Sequence, residues 1–251
     1  MLPYQRITEI PIGFVKIKVW GLLVAIAFIV SILLAAKEAK RKKFDMQQFW
    51  NFIFFLVLGA LIGSRIGFVI EYWYELSGFL DVFKVWQGGM SIWGGILGAI
   101  FFTACYAKYK KIPWIKYADL VAPFIGLGIA IGRIGCFLIG DHIGTATNLP
   151  WAINYGGYGY ATMPRHPVAL YHSLAGLILF FAIKNVKKNR FLFFIIGYSA
   201  LRFVIDFFRI DPSYAGLHSA QWICIAIFIL SSSLLLKRIR KWKRKNITTS
   251  T

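Results

Sequence analysis

The chain has 251 residues, of which 58% are hydrophobic, and a formal net charge of +19. A soluble domain is roughly 45–50% apolar, and the excess here falls in blocks of about 20 residues, the length at which a helix spans a bilayer. Composition therefore excludes a soluble protein and predicts an all-α integral membrane protein, with residues 1–251 as a single polytopic domain.

Apolar segments recur along the whole chain and predict a bundle of about seven transmembrane helices. The first is preceded by MLPYQRITEIPIG, which lacks the basic start of a signal peptide, so we expect this span to be retained. The predicted spans lie near residues 19–36, 49–70, 90–107, 118–139, 167–183, 191–209 and 218–236.

Most of the 29 Lys and Arg residues lie in short clusters after the first, third, fifth and seventh segments. Because basic loops remain in the cytoplasm, the amino terminus is predicted outside and the carboxyl terminus inside. A small cap loop at about residues 140–166 is then extracytoplasmic. Charge confined to such loops argues against nucleic acid as a partner and favours membrane lipid.

Small residues mark the helix faces that are expected to pack closely. In GALIGSRIG, Gly59, Gly63 and Gly67 are four residues apart, as are Gly94 and Gly98, and such spacing lets two helices approach. The segment GGMSIWGG, residues 88–95, has more glycine than packing requires. It predicts a bent entry whose backbone N–H groups face a ligand.

Four arginines fall within predicted spans, where each costs roughly 2.5–3.5 kcal/mol at a helix centre. Arg65, Arg133, Arg202 and Arg209 come from three helices, yet all lie in the outer half of the predicted bilayer. They outnumber the nearby carboxylates, so we expect an anion between them. At this depth, the phosphate of a phospholipid fits the planar fork of arginine donors.

The sixth segment carries a polar stripe, because Tyr198, Arg202, Asp206 and Arg209 are spaced by four, four and three residues. A structural Arg202–Asp206 pair is the alternative interpretation. The fourth segment ends in GRIGCFLIGDHIG, where Arg133 is followed by Asp141 and His142. We interpret this end as the lip of a polar pocket.

The three cysteines are Cys105, Cys136 and Cys224. They lie far apart in apolar segments without a CxxC pair, so the sequence predicts neither a disulfide nor a metal site, and no cofactor.

Seven motifs in register over about 200 residues resemble the prolipoprotein diacylglyceryl transferase family of the bacterial inner membrane. The motifs are IKVWGLLVAIAF, GALIGSRIGFVI, GGMSIWGGILGAI, ADLVAPFIGLGIAIGRIGCFLIGDHIG, LPWAI, PRHPVALYHS and GYSALRFVIDFFR. The resemblance implies transfer of a diacylglyceryl group from phosphatidylglycerol to the lipobox cysteine thiol of a lipoprotein precursor, with release of glycerol phosphate.

The resemblance, together with the positions of the polar residues, predicts two sets of site residues. The catalytic candidates are Arg133, Arg202, Asp141, Tyr198, His142 and His166. The candidates for substrate binding are Arg209, Asp206, Arg65, Ser91, Trp93, Gly94, Gly95, Cys136 and Gly144.

Several motif positions depart from the family pattern. Trp93 stands where the family commonly has a histidine, and its indole N–H cannot accept a thiol proton. Cys136 replaces an asparagine and Asp141 a glutamate. The positions of His172 and Trp20 commonly hold a glutamate and a tyrosine.

The acceptor proton therefore has several candidate destinations. These are His142, His166 and Asp141, or no side chain at all if nearby arginines favour the thiolate. Two alternatives to the transferase remain at this point. One is a diverged paralogue that uses the same lipid with another acceptor, and the other is a non-catalytic lipid binder or transporter. The second is disfavoured because the chain has no paired inverted halves.

Overall fold

The computed structural model describes residues 2–13, 15–76, 78–84, 88–156 and 163–247. Each of the seven predicted segments overlaps an α-helix, although the sixth helix ends at Ile205, four residues before the predicted end. The helices are α1 (Val19–Arg41), α2 (Met46–Glu71), α3 (Ile92–Tyr109), α4 (Trp114–Leu138), α5 (Val168–Lys184), α6 (Arg190–Ile205) and α7 (Ser219–Ile247).

Short strands and 3₁₀ turns connect the helices. Parallel pairing joins β1 (Leu2–Pro3) to β4 (Ile153–Asn154), and two antiparallel hairpins join β2 (Glu9–Ile12) to β3 (Val15–Lys18) and β5 (Ser213–Tyr214) to β6 (Leu217–His218). The 3₁₀ turns are Trp73–Glu75, Phe79–Phe83 and Asp206–Phe208.

Five helical segments in the described ranges are long and apolar enough to cross a membrane. They are Val19–Arg41, Met46–Glu71, Trp114–Leu138, Arg190–Phe208 and Ser219–Arg240. The α6 segment reaches 19 residues by including the 3₁₀ turn that follows the helix, whereas α3 has 18 residues and α5 has 17. The prediction of a helical, multi-pass membrane protein is thus confirmed, whereas the count of seven spans and the outer cap loop remain predictions.

Internal contacts group the chain into two compact units. The inserted unit is Ala36–Ala118, and the framing unit combines Met1–Ala35 with Asp119–Thr251. Whether they form one domain, as the sequence predicts, stays a prediction, and each unit is described by itself.

In the inserted unit, α2 and α3 pack through glycine faces. A Cβ on Gly98 would lie 2.8 Å from the Cα of Gly63, and a Cβ on Gly94 would lie 2.8 Å from the Cα of Gly67. Real side chains do not tolerate such distances, so the two backbones touch. The glycines spaced by four residues therefore form the contact between α2 and α3, as the sequence predicts.

In the framing unit, α4 packs on α5 through a second close approach. A Cβ on Gly126 would lie 2.9 Å from the Gly176 carbonyl oxygen. Near this point, the Ser173 hydroxyl donates a 2.8 Å hydrogen bond to the Ala130 carbonyl. Farther along the chain, the buried Gln221 of α7 donates to the Phe203 carbonyl of α6 at 2.9 Å. Polar side chains thus join neighbouring helices where their backbones are close.

The segment after α4 folds onto the amino end of the chain. The Tyr4 hydroxyl donates to the Phe137 carbonyl at 2.6 Å, and its ring packs with Phe137 and Tyr155. Ile143 and Ile153 complete this small core. Burial raises the pKa of Tyr155, which consequently stays a neutral phenol at physiological pH. The end of α4 is therefore packed between the amino-terminal segment that contains Tyr4 and the loop segment that contains Tyr155.

Candidate functional site

The end of α4 is shaped by a glycine in the left-handed conformation. Gly140 has φ 72° and donates its N–H to the Phe137 carbonyl at 3.1 Å, while the Asp141 N–H reaches the Cys136 carbonyl at 2.9 Å. This pair of bonds is a Schellman motif, which reverses the chain after a helix. The reversal brings Asp141 back over the last turn of α4.

The Schellman turn gathers three reactive side chains. One ligand-type atom each from Cys136, Asp141 and His142 lies within 4.8 Å of the other two. Cys136 is 7% exposed, whereas the Asp141 side chain is 52% exposed and the His142 side chain 23%. The cluster therefore has a buried sulfur and an open side.

His142 is fixed against Asp141 by both its backbone and its ring. It adopts φ 59°, which is uncommon for a residue other than glycine, and its N–H donates to Asp141 Oδ1 at 2.8 Å. The ring Nδ1 lies 2.9 Å from Asp141 Oδ2 without the alignment of a hydrogen bond. The adjacent imidazole lowers the pKa of Asp141, and this carboxylate raises the pKa of His142.

The stripe on α6 forms a buried charge network. Arg202 Nη1 donates to the Tyr198 hydroxyl at 3.1 Å, and its Nε lies 3.4 Å from Asp206 Oδ2. The other carboxylate oxygen of Asp206 faces His172 Nε2 of α5 at 3.6 Å. Asp206 is 0% and His172 1% exposed, whereas the Arg202 side chain is 15% exposed, so the carboxylate is buried and the guanidinium keeps an open side.

Arg133 projects from α4 into the same region. Its charge acts on His172 of α5 as well as on Cys136, Asp141 and His142. Within the described ranges, its guanidinium makes no hydrogen bond or ion pair. It is partly exposed, and thus remains available to an anion.

Arg209 and Gly144 lie together at the end of the α6 segment. A β-bridge joins these two residues, and Arg209 Nε contacts Asp211 Oδ2 at 2.6 Å. The Gly144 N–H donates to the His166 carbonyl at 3.0 Å, and a Cβ on Gly144 would lie 2.7 Å from that oxygen. Glycine at 144 is thus required by a close backbone approach.

His166 belongs to a chain of ring contacts. Its Nδ1 lies 2.9 Å from the Tyr171 hydroxyl, which accepts a 2.9 Å hydrogen bond from Trp151 Nε1. Its ring also packs on Phe208 at a centroid distance of 4.7 Å. Burial lowers the pKa of His166, so its imidazole is neutral at physiological pH. This arrangement connects the loop after α4 to α5 and α6.

In the inserted unit, Arg65 binds backbone carbonyls. Its guanidinium donates to Val82 at 2.7 Å, to Gly88 at 2.7 Å and Gly89 at 2.8 Å, and also to the Asp81 carbonyl. Four of its five N–H donors are consequently used to hold the loop between α2 and α3. In the structure, Arg65 therefore stabilises this loop. Its role in substrate binding stays a prediction.

The remaining candidates of the inserted unit lie at the start of α3. The Ser91 hydroxyl accepts a 3.3 Å hydrogen bond from the Gly94 N–H as the N-cap, and donates to Glu71 at 2.6 Å. Trp93 is 37% exposed. A Cβ on Gly95 would make ordinary contacts at 3.4 Å. Hence Gly94, unlike Gly95, is required by packing.

A family model described as prolipoprotein diacylglyceryl transferase matches residues 7–237. The chain belongs to the prolipoprotein diacylglyceryl transferase family. It is 35% identical over 238 residues to a protein of Pasteurella multocida, covering 90% of this chain and 86% of the relative. A Bordetella parapertussis protein is 32% identical over 255 residues, covering 94% and 97%. Both relatives are named phosphatidylglycerol–prolipoprotein diacylglyceryl transferase.

Family membership confirms the predicted resemblance and identifies a bacterial multi-pass membrane protein. A third relative, from Methylibium petroleiphilum, has the same name and is 35% identical over 235 residues, covering 85% of this chain and 89% of its own. Within this family, the site roles of individual residues in our chain remain proposals that rest on the geometry described above.

Sequence reasoning missed three residues that the structure places at the site. Asp211 engages Arg209, and Tyr171 with Trp151 positions His166. Asp211 could have been found, because it follows Arg209 by two residues and offers an opposite charge. The Trp151–Tyr171 contact spans 20 residues and has no sequence signal.

Proposed function

We propose that the chain transfers a diacylglyceryl group from phosphatidylglycerol to the cysteine thiol of a lipoprotein precursor. The acceptor thiolate attacks the glyceryl carbon that carries the phosphate ester. The carbon–oxygen bond breaks, the electron pair leaves with the oxygen, and glycerol phosphate departs. The products are a thioether on the precursor and a phosphate with one additional negative charge.

The observation that carries this proposal is the uncompensated charge of Arg133. Arg202 is paired with Asp206 and Arg209 with Asp211, whereas Arg133 has no such partner among the described residues. Among these three site arginines, Arg133 therefore contributes one uncompensated positive charge. This matches the single negative charge of a phosphodiester headgroup and offers it two parallel N–H donors.

The Arg202 network supplies the second part of the proposed phosphate site. Asp206 and Tyr198 hold the Arg202 guanidinium by its Nε and Nη1, which leaves donors on Nη2 for a ligand. Because the Asp206 side chain is buried and that of Arg202 is only 15% exposed, the field of the pair is weakly screened. A fixed guanidinium stabilises charge that develops on the leaving phosphate without further reorganisation.

The acceptor side of the reaction is proposed to lie at the Cys136, Asp141 and His142 cluster. Asp141 is half exposed, so a precursor thiol has access from the loop after α4. The charge of Arg133 acts on this cluster and favours a thiolate over a thiol there. His166 also remains a proposed catalytic residue, although Tyr171 occupies its Nδ1.

The location follows from the substrates of this reaction. We propose the bacterial inner membrane, with the amino terminus outside, the carboxyl terminus in the cytoplasm and residues 140–166 as an outer cap. The supporting observation is the alternation of basic loops along the chain.

Mass spectrometry of lipoproteins tests the function most directly. In a host depleted of its own transferase, expression of this chain is expected to restore a mass increase of one diacylglyceryl group on the precursor cysteine. The matched control is a precursor with that cysteine changed to alanine. Modification of lipid or protein at another group would favour the diverged paralogue, and bound lipid without any transfer would favour a lipid-binding protein.

A further inference from the structure

The cluster at the end of α4 contains three different metal-binding groups in one place. Cys136 offers a thiolate sulfur, His142 an imidazole nitrogen and Asp141 a carboxylate oxygen, all within 4.8 Å of one another. The Asp141 N–H bonded to the Cys136 carbonyl fixes the spacing of the chain at this point. The cluster is therefore built by the backbone and not by chance contact of flexible side chains.

The contact between Asp141 and His142 supports binding of a cation. Nδ1 of His142 is buried and lies 2.9 Å from Asp141 Oδ2, yet no hydrogen bond of proper alignment joins them. Adjacent nitrogen and oxygen ligands of a tetrahedral zinc ion lie roughly 3.3 Å apart, as bonds of about 2.0–2.1 Å require. A small outward movement of the imidazole would therefore let an ion take the place of the proton that these two atoms otherwise share. The positive φ of His142 maintains this orientation at a cost in backbone strain.

The donor types select the class of metal. One sulfur, one nitrogen and one oxygen suit zinc, which favours Cys and His and also accepts Asp, whereas calcium and magnesium prefer oxygen ligands alone. A thiolate and a carboxylate together balance the charge of a divalent ion. Three protein ligands are also the number found in zinc sites that keep a fourth position for a substrate.

We propose that Cys136, Asp141 and His142 bind a zinc-class divalent ion whose fourth position takes the acceptor thiol. Binding of the ion stands on the cluster alone, whereas its role toward the acceptor rests on the transfer reaction proposed above. The ion would supply the deprotonation of the acceptor thiol that the indole N–H of Trp93 cannot supply.

A thiol that binds the ion loses its proton to solvent, because metal coordination deprotonates a thiol. The resulting thiolate sulfur forms the bond to the glyceryl carbon, and the carbon–oxygen bond of phosphatidylglycerol breaks. The neutral thioether binds the ion more weakly than the thiolate and leaves it. The positive charge of Arg133, which acts on Cys136, would also favour the additional thiolate at the ion.

Cobalt binding tests the site without relying on activity. The purified full-length protein, stripped with a chelator, is titrated with Zn²⁺ and Co²⁺ in detergent. We expect one ion per chain and a sulfur-to-cobalt charge-transfer band. Cys136→Ser should abolish the band and weaken Co²⁺ binding by more than about tenfold, since even partners outside the ligand shell contribute that much. Cys224→Ser, a buried cysteine of α7, should retain both.

Thermal unfolding of each variant serves as the control for correct folding. If Cys136→Ser does not fold, Asp141→Ala replaces it, because this side chain is half exposed, and it should also weaken Co²⁺ binding. Absence of stoichiometric binding, or a band that persists in Cys136→Ser, would overturn the metal site.

The acceptor role is tested by glycerol phosphate release with a cysteine-bearing precursor peptide. Chelator-treated protein should lose most of its rate and regain it with Zn²⁺. An unchanged rate after metal removal would overturn the role of the ion toward the acceptor. An intact cobalt band with no transfer under any condition would instead count against the proposed function and leave the metal site standing.

Discussion

Nε of Arg202 lies 3.4 Å from Oδ2 of Asp206, and the Asp206 side chain has no exposure. Removing one partner from a buried ion pair leaves the other charge uncompensated. The second carboxylate oxygen also faces His172, so Asp206 compensates groups on two helices.

Asp206→Asn is therefore expected to destabilise the protein by about 3–5 kcal/mol. The matched control is Asp211→Asn, because Asp211 pairs with Arg209 but is 45% exposed, and such pairs contribute about 1 kcal/mol or less. Thermal unfolding in detergent measures both. Equal losses in the two variants would mean that the Arg202–Asp206 pair is not a buried network in the membrane.

Replacement of either proposed phosphate arginine by lysine should lower the transfer rate although the charge is kept. Lysine is a point donor and cannot form the fork that Arg133 and Arg202 offer. Loss of a comparable electrostatic donor costs about 2.7–4 kcal/mol, which is a hundredfold or more in rate. The measurement is glycerol phosphate release at saturating lipid.

The control for these variants is Arg238→Lys, because Arg238 contacts Asn189 at an exposed position. It should keep the normal rate. Near-normal transfer by well-folded Arg133→Lys and Arg202→Lys variants would contradict the phosphate role.

Gly94→Ala should disrupt the contact between α2 and α3. The added Cβ would lie 2.8 Å from the Cα of Gly67 and still closer to the Gly63 carbonyl, so the helices must separate at a cost of about 1–3 kcal/mol or more. Gly95→Ala is the neighbouring control, since its nearest contact would be 3.4 Å. Thermal unfolding should separate the two, and a smaller loss for Gly94→Ala would argue against this glycine contact.

His166 should make stability depend on pH. Burial lowers the pKa of His166 in the folded state, whereas the unfolded chain titrates at about 6.5. The buried neutral ring therefore makes its full contribution to the free energy of unfolding above pH about 6.5. This contribution is lost as the pH falls toward the folded-state pKa.

The fall in unfolding temperature between pH 7 and pH 5 should thus be smaller in His166→Gln than in the parent protein. His218→Gln, on the β5–β6 hairpin, is the control. Its unfolding temperature should fall between pH 7 and pH 5 as much as that of the parent protein. If the unfolding temperature of His166→Gln fell as much as that of the parent protein, the ring would not be buried in the neutral form.

Site-specific labelling should establish the proposed orientation. In a Cys105→Ser background, Lys187→Cys lies between α5 and α6 and should react only after the membrane is permeabilised. Leu149→Cys, at a position that is 39% exposed in the loop after α4, should react in intact spheroplasts. Labelling of residue 187 from outside would overturn the topology with the carboxyl terminus in the cytoplasm.

Sequence alone determined the helical segments, the glycine faces and three residues of the polar stripe, whereas α6 ends at Ile205 and Arg209 pairs with Asp211 beyond it. The physical reason is that these features are local. A segment of about 20 apolar residues must satisfy its backbone as a helix in lipid, and residues spaced by three or four share one face of that helix. Tyr198, Arg202 and Asp206 therefore had to meet, as they do.

Tertiary structure decided what the polar residues contact. Arg65 binds loop carbonyls 16 to 24 residues away, which its depth in a span does not indicate. Cys136 has no CxxC partner, yet the left-handed turn at Gly140 brings Asp141 and His142 onto it. Such contacts depend on the direction in which a chain leaves its helix and on which segments fold against each other. Neither residue type nor periodicity encodes these two properties, because many backbone paths are compatible with the same local pattern.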